Sequence, residues 1–430
     1  MCKYLVSGPS TLYGEVKISP AKNSVLTIIC ASILLDGEVL IKDCPDILDV
    51  RVMCEILKSI GATTLWTKEG LTVNTKNIFT TILPKQKTAK IRASFFMVGP
   101  MLARFKTVTV SKPGGCKIGE RPLDIHLDGL KKLGASIKEN EEEYLITANL
   151  LKGAKITLRY PSVGATENLI LASVFAKGET NLINVAKEPE VVDLCNYLNA
   201  CGAKIKGIGS QNLTILGVES LCKSISYTPI PDRIETGTFL LLSYLLDSNV
   251  QITNINLQNI YDLTKKINNI TCKNSGIYVK IYSDKLYIRS KGEKYSLGDF
   301  TTSPYPGFAT DLHPIMSAVG LGVRGQTKIT ETVFDSRFMY LREFAKMGAK
   351  FSLNGNTVTI FGKGENIHGA HLVCPDLRGG ASLVVASLSA QGDSVIEKVA
   401  YIMRGYSQFD KKLQSLGAKI KLIDGDYIDD

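Results

Sequence analysis

The sequence carries one thiol in a setting that favours reaction. Residues 113–126 read PGGCKIGERPLDIH, so Cys116 stands beside Lys117 and five residues before Arg121, with Asp124 and His126 following. Nearby cations stabilise a thiolate and lower a cysteine's pKa, which suits a nucleophile or a proton donor near working pH. Gly114 and Gly115 after Pro113 permit unusual backbone dihedrals, and hence loop movement. The alternative is an inert thiol on a surface loop, and the loop alone does not choose between the two.

Two carboxylates are candidates for acid–base work. Asp311, in YPGFATDLHP, follows a proline- and glycine-rich segment at a predicted helix start. Asp232, in PDRIETGTF, has Arg233 beside it, and capping the following helix is its preferred role. Arg337, in TETVFDSRF, and Arg404, in MRGY, are expected at strand ends in matching positions. Guanidinium groups so placed suit bidentate binding of carboxylate or phosphate.

The elements that must position these groups recur six times. A helix-ending phrase appears as LKSIGA, LKKLGA, LNACGA, a degenerate NITCKNSG, FAKMGA and LQSLGA. Its glycines are Gly61, Gly134, Gly202, Gly276, Gly348 and Gly417, spaced by 68 to 74 residues. Each suits the left-handed residue that closes a helix, and a strand-like run usually follows. An earlier helix also recurs, as in NSVLTIICASILLDG, GATENLILASVFAKG and LRGGASLVVASLSAQG. These helices are apolar nearly all round, so they belong in a core. Each leads into an alternating strand such as EVLIKD, TVTVSK or TKITET. Six mixed α/β units predict two pseudo-symmetric domains of three repeats each.

Polar residues collect at the starts of the buried helices. They are Lys22 and Asn23; Arg92; Ser162 with Gly164; Asp232 and Arg233; Asp311; and Asp376 with Arg378. Basic side chains in a first turn oppose the helix dipole, by about 0.3–1 kcal/mol each. Four such cases on buried helices point to compensating anions, and helix N-termini are natural anion sites. Phosphate or carboxylate groups in a cleft between the two domains are the expected ligands.

Composition excludes several classes. The chain of 430 residues is 44% apolar and 21% charged, as in globular proteins, and its apolar runs are too short to span a bilayer. No secretory leader pattern opens it. Its ten cysteines are scattered without a CxxC, and its four histidines (126, 313, 368 and 371) do not suggest a metal centre. The net charge of +10 favours anionic partners, but the cations are dispersed, which suits a small polyanion better than nucleic acid. GLGVRG at 320–325 matches a dinucleotide fingerprint but closes a helix instead of opening one. No P-loop occurs, and no cofactor or metal is expected.

These stretches together resemble the UDP-N-acetylglucosamine 1-carboxyvinyltransferase family of enolpyruvyl transferases, in the EPSP synthase superfamily. The resemblance runs from about residue 3 to about residue 423. It rests on SPAKNS, RASFF, the cysteine loop, PSVGATENL, PDRIETGTFL, FATDLHP, TETVFDSRF, PDLRGGASL and RGY. Pro20 and Phe96 stand where many relatives have glycine and tryptophan.

The resemblance implies an inverse α/β barrel pair with the active site in the interdomain cleft. Residues 22–230 would form the first domain, carrying the Cys116 loop, and 1–21 plus 231–430 the second. It implies transfer of enolpyruvyl from phosphoenolpyruvate to the 3′-hydroxyl of UDP-N-acetylglucosamine with release of phosphate. That is the first committed step of peptidoglycan synthesis, serving cell-wall biogenesis, cell shape and division. Cys116, Asp311, Lys22 and Arg404 would be catalytic. Lys22, Asn23, Arg121, Arg337, Arg378 and Arg404 would bind phosphoenolpyruvate. Asn23, Arg92, Arg121, Pro122, Leu123, Asp124, Ile125, Ser162, Val163, Gly164, Asp311 and Val333 would bind the sugar nucleotide. The thiol-directed inhibitor fosfomycin would label Cys116. A cytoplasmic monomer or weak homo-oligomer is implied, without nucleic-acid or membrane partners. The rival readings are a shikimate-pathway transferase, a non-catalytic sugar-nucleotide binder and a nucleic-acid binder.

Overall fold

The computed structural model describes residues 2–112, 123–271, 276–363 and 367–423. The described chain divides into two compact units, residues 20–112 with 123–230 and residues 2–19 with 231–423. Each unit holds three small sheets.

The sheets share one plan. The strand after a buried helix lies inside the sheet, with an antiparallel strand on one side and a parallel strand from elsewhere on the other. In the 20–230 unit, Glu38–Lys42 pairs antiparallel with Gly70–Asn74 and parallel with Ser224–Tyr227. Glu179–Ile183 pairs likewise with Asn212–Leu216 and Lys155–Thr157. The third sheet, built on Thr107–Ser111, has three strands plus a parallel bridge from Ile82 to Thr109.

The other unit repeats the plan. Asp247–Thr253 pairs antiparallel with Lys285–Ser290 and parallel with Thr11–Lys17. Arg324–Thr330 takes Thr357–Lys363 and Phe300–Thr301. Gly392–Glu397 takes His371–Val373 and the N-terminal strand Lys3–Gly8, which itself pairs with Lys419–Ile423.

The apolar helices fill the cores, as their composition requires. Every residue from Ala165 to Ser173, from Ile234 to Leu245 and from Arg378 to Leu388 is buried. Hydroxyls on these helices bond back to their own carbonyls, as Thr238 Oγ1 does to Ile234 O at 2.8 Å and Ser382 Oγ to Gly379 O at 2.7 Å. Backbones approach closely at Gly99, where a methyl group would stand 2.4 Å from Asn168 O. Five of the six recurring glycines, Gly61, Gly134, Gly202, Gly348 and Gly417, take φ between +84° and +110°, closing their helices as expected.

Two local expectations change. The run from Arg92 is not one helix: Arg92–Met97 is a 3-10 segment leading into the α-helix Val98–Phe105. Neither Arg337 nor Arg404 ends a strand: each lies seven residues past its own, and Arg404 follows the short helix Ala400–Met403. GLGVRG does close the helix His313–Gly322. Among the described residues no helix is long and apolar enough to cross a membrane.

Candidate active site

In the 231–430 unit the site is built around Asp311. A 3-10 turn, Thr310–Leu312, presents this residue just before the buried helix His313–Gly322. Arg337 Nη2 donates to Asp311 Oδ1 at 2.7 Å. Arg378 Nε donates to Oδ2 at 3.0 Å, and Arg378 Nη2 forms an ion pair with the same oxygen at 2.9 Å. Burial alone would raise this carboxyl's pKa, but the charges and hydrogen bonds of Arg378 and Arg337 outweigh burial and hold it far below the usual range. Burial disfavours the charge on Arg378, yet Asp311 beside it outweighs burial and holds the guanidinium's pKa above its ordinary value. The anion compensating this first-turn arginine is therefore a protein carboxylate.

Both arginines are 3% exposed. Each still carries a buried N–H, Arg337 Nε and Arg378 Nη1, with no hydrogen-bond partner among the described residues. A buried unmade donor is costly, by about 1–3 kcal/mol, so these two sites are primed for an acceptor. Arg378 also stacks over Tyr406, 5.1 Å from the ring centroid, and Tyr406 OH meets Thr238 Oγ1 at 2.8 Å. Arg404, two residues before Tyr406, is half-buried.

Beneath Asp311 lies a carboxylate that sequence reasoning missed. Glu331, 2% exposed, accepts from Thr302 Oγ1 at 2.8 Å, Val333 N at 2.8 Å and Phe334 N at 3.1 Å through Oε1. Its Oε2 accepts from Thr310 Oγ1 at 2.8 Å and from His313 Nδ1 at 2.9 Å. Burial opposes the charge, but these donors, His313 foremost, hold the Glu331 pKa down at about 2. Tyr340 OH in turn meets His313 Nε2 at 2.9 Å and Ser317 Oγ at 2.7 Å. Val333, expected near a sugar, is placed by the turn that Glu331 ties down.

Asp232 caps the helix Arg233–Leu245, accepting from Ile234 N at 2.8 Å and Glu235 N at 2.9 Å, as expected. Asp376 caps Leu377–Ser389 the same way.

In the 20–230 unit, Lys22 opens the helix Lys22–Ala31 and its Nζ lies 2.7 Å from Asp49 Oδ2. Asp49 thus offsets the dipole conflict at this start. Asn23 is exposed, and Ser24 bonds to the buried Asp193, which also accepts from Tyr227 OH at 2.7 Å and Ile230 N at 3.2 Å.

A second group forms around the helix Val163–Ser173. Ser162 caps it, accepting from Ala165 N at 3.3 Å, and Val163 and Gly164 occupy the first turn, where N–H groups lack intrahelical partners. Gly164 packs where a methyl would stand 3.1 Å from Phe96 and 3.2 Å from His126. His126 is buried, and burial followed by the charge of Arg92 lowers its pKa to about 3, so the ring is neutral. Asn168 holds it, with Nδ2 3.3 Å from His126 Nδ1. Asp124 pairs with Arg159, while Leu123 is buried and Ile125 half-buried beside it. Arg92, Asp124, Ser162, Val163 and Gly164 therefore gather about one helix start. Cys116, Arg121 and Pro122 lie outside the described residues.

Comparison with known proteins identifies relatives over nearly the whole chain. The EPSP synthase (3-phosphoshikimate 1-carboxyvinyltransferase) family model matches residues 6–413. A protein of Carboxydothermus hydrogenoformans named UDP-N-acetylglucosamine 1-carboxyvinyltransferase 2 is 41% identical, covering 98% of this chain and 100% of its own. UDP-N-acetylglucosamine 1-carboxyvinyltransferase 1 of Caldanaerobacter subterraneus is 42% identical over 97% and 99%. Among solved structures, the enolpyruvyl transferase NikO from Streptomyces tendae superposes with a TM-score of 0.87 at 24% identity, covering 98% of both chains. An EPSP synthase from Acinetobacter baumannii gives 0.74 at 17%, covering 99% and 100%. These last two similarities establish the fold.

Proposed function

This chain belongs to the EPSP synthase family and, within it, to the UDP-N-acetylglucosamine 1-carboxyvinyltransferases, and from that premise we propose how it works. It moves the enolpyruvyl group of phosphoenolpyruvate onto the 3′-hydroxyl of UDP-N-acetylglucosamine and releases phosphate, opening peptidoglycan synthesis. The hydroxyl oxygen bonds to the carbon bearing phosphate while the methylene carbon gains a proton. Phosphate then leaves, the new methyl group loses a proton, and an enol ether remains.

The observation that carries the residue roles is the pair of unmatched N–H groups on Arg337 and Arg378 flanking Asp311. An incoming carboxylate or phosphate satisfies them. It also draws guanidinium charge away from Asp311, whose basicity then rises toward the range useful for taking the hydroxyl proton. Before phosphoenolpyruvate arrives, Asp311 is too weak a base. The acid–base step is thus tied to the presence of its substrate.

Cys116 supplies the methylene proton, or adds reversibly through sulfur to the same carbon. Lys22, Asn23, Arg121 and Arg404 complete the phosphoenolpyruvate site, and Arg404 and Lys22 stabilise developing charge. The helix start at Ser162–Gly164 takes the diphosphate, which is where backbone N–H groups and the dipole favour an anion. Arg92 and residues 121–125 hold the rest of the nucleotide, with Val333 against the sugar. The enzyme works in the cytoplasm as a monomer or weak homo-oligomer, with no cofactor or metal and no nucleic-acid partner. Phosphate release that requires both phosphoenolpyruvate and UDP-N-acetylglucosamine tests the reading. Release with 3-phosphoshikimate in place of the sugar nucleotide would overturn it.

A further inference from the structure

The proposed roles leave Glu331 unused, although it is the most heavily bonded buried carboxylate beside the site. Its five donors come from four places in the chain: residue 302, the 310–313 turn, and the backbone at 333 and at 334. A carboxylate that only filled a core would be replaceable by an apolar side chain without harm to the site. The direction of its hydrogen bonds argues otherwise.

The single hydroxyl proton of Thr310 is committed to Glu331 Oε2. The Thr310 oxygen is then left to accept, and Arg337 Nη1 donates to it at 3.0 Å. Arg337 Nη2 is on Asp311. The guanidinium is thus gripped at two corners, one by Asp311 and one by a hydroxyl whose polarity Glu331 dictates. His313 reinforces that polarity. With Tyr340 OH donating to Nε2, the ring's proton sits on Nδ1 and points at Glu331, so this carboxylate receives protons from every side chain that touches it.

We propose that Glu331 is a positioning residue for the transfer reaction, acting through the Thr310 hydroxyl to hold Arg337 in the orientation that Asp311 and the incoming three-carbon anion require. Thr310 is the relay, and neither residue needs to touch substrate. The inference rests on the roles proposed above for Asp311 and Arg337.

The test is a set of variants assayed by phosphate release, with thermal melting alongside. Thr310→Val keeps the shape of the side chain and every other bond to Glu331 but removes the relay. It should lower kcat/KM for phosphoenolpyruvate by about 10–100-fold, the usual effect of an outer partner. The KM for UDP-N-acetylglucosamine should stay within about twofold. Thr310→Ser restores the hydroxyl and should recover most of the loss. Glu331→Gln places an amide N–H against a donor, so it should lose at least as much as Thr310→Val. The double variant should be no worse than Glu331→Gln alone, because both act along one path. Thr310→Val with wild-type kinetics, Thr310→Ser as impaired as Thr310→Val, or losses that simply add would each overturn the proposal. If Glu331→Gln does not fold, the valine and serine pair at 310 decides. Should wild-type protein release no phosphate from the two substrates, the functional reading has failed. Turnover by wild type with unaffected variants refutes the positioning role alone.

Discussion

At the scale of single residues, chemistry depends on which hydrogen-bond donors are left over. Arg378 donates Nε to Asp311, holds Nη2 against it as an ion pair and keeps Nη1 buried and unmet. Lysine cannot reproduce this fork, being a point charge on a flexible stem. Arg378→Lys should therefore raise the KM for phosphoenolpyruvate by about tenfold or more, seen in steady-state kinetics. Cys116→Ser should reduce turnover by about 10²–10⁴-fold if the thiol gives the proton. Cys116→Asp, an acid without sulfur, should retain activity while escaping thiol alkylators. Most of the charged site groups were legible in the sequence because arginines and lysines at the starts of buried helices contradict the dipole. Glu331, Asp49 and Asp193 were not, because a buried carboxylate looks like any other until distant donors such as His313, Lys22 and Ser24 are brought to it. The sequence reading also assigned dipole compensation to ligands alone, whereas Asp49 and Asp311 supply part of it from within.

At the scale of elements, the recurring helices resolve some of their polar groups with a cap and others with a proton. Asp232 satisfies two N–H groups at the start of Arg233–Leu245. Asp232→Ala should destabilise by about 0.5–2 kcal/mol in urea melts, while Asp232→Asn, an equal cap, should not. Glu167 poses the opposite case. It lies 1% exposed within Val163–Ser173, and burial, then Glu190 and Glu188, push its pKa well above 4.5. Below pH 4.5 the carboxyl is neutral in folded and unfolded chains alike. As pH rises past that value only the unfolded form ionises, so stability falls, by up to about 1.4 kcal/mol per pH unit, until the folded group ionises too. Glu167→Gln removes this dependence: the drop in urea midpoint from pH 5 to pH 8 should be smaller than in wild type. The helices and their closing glycines were readable from repetition alone. The break of the second repeat into a 3-10 segment and an α-helix was overlooked, although Pro100 in RASFFMVGPMLARF marks it, since a proline lacks the N–H that every turn after a helix's first must donate.

At the scale of the whole molecule, the last sheet is completed by the first strand. Lys3–Gly8 lies between Gly392–Glu397 and Lys419–Ile423, and Gly8 approaches so closely that a methyl would stand 2.4 Å from Ala390 O and Ser387 O. Removing residues 2–9 should therefore abolish cooperative folding of that unit, a loss above about 5 kcal/mol, seen as early melting and aggregation. The arrangement also sets a schedule for birth on the ribosome. The unit of residues 20–230 has all its strands once that stretch has emerged, whereas Thr11–Lys17 must wait for Asp247–Thr253, and Lys3–Gly8 for Gly392–Glu397 and Lys419–Ile423. At about 5–20 residues per second those waits are roughly 10–50 s and 20–80 s, during which the two strands have exposed edges and no partners. A circular permutant that begins at Pro231, runs through the old C-terminus into Met1 and ends at Ile230 makes both units continuous. It should fold sooner during synthesis and leave less aggregate than the natural order, for the early strands would then be born next to the neighbours they are waiting for.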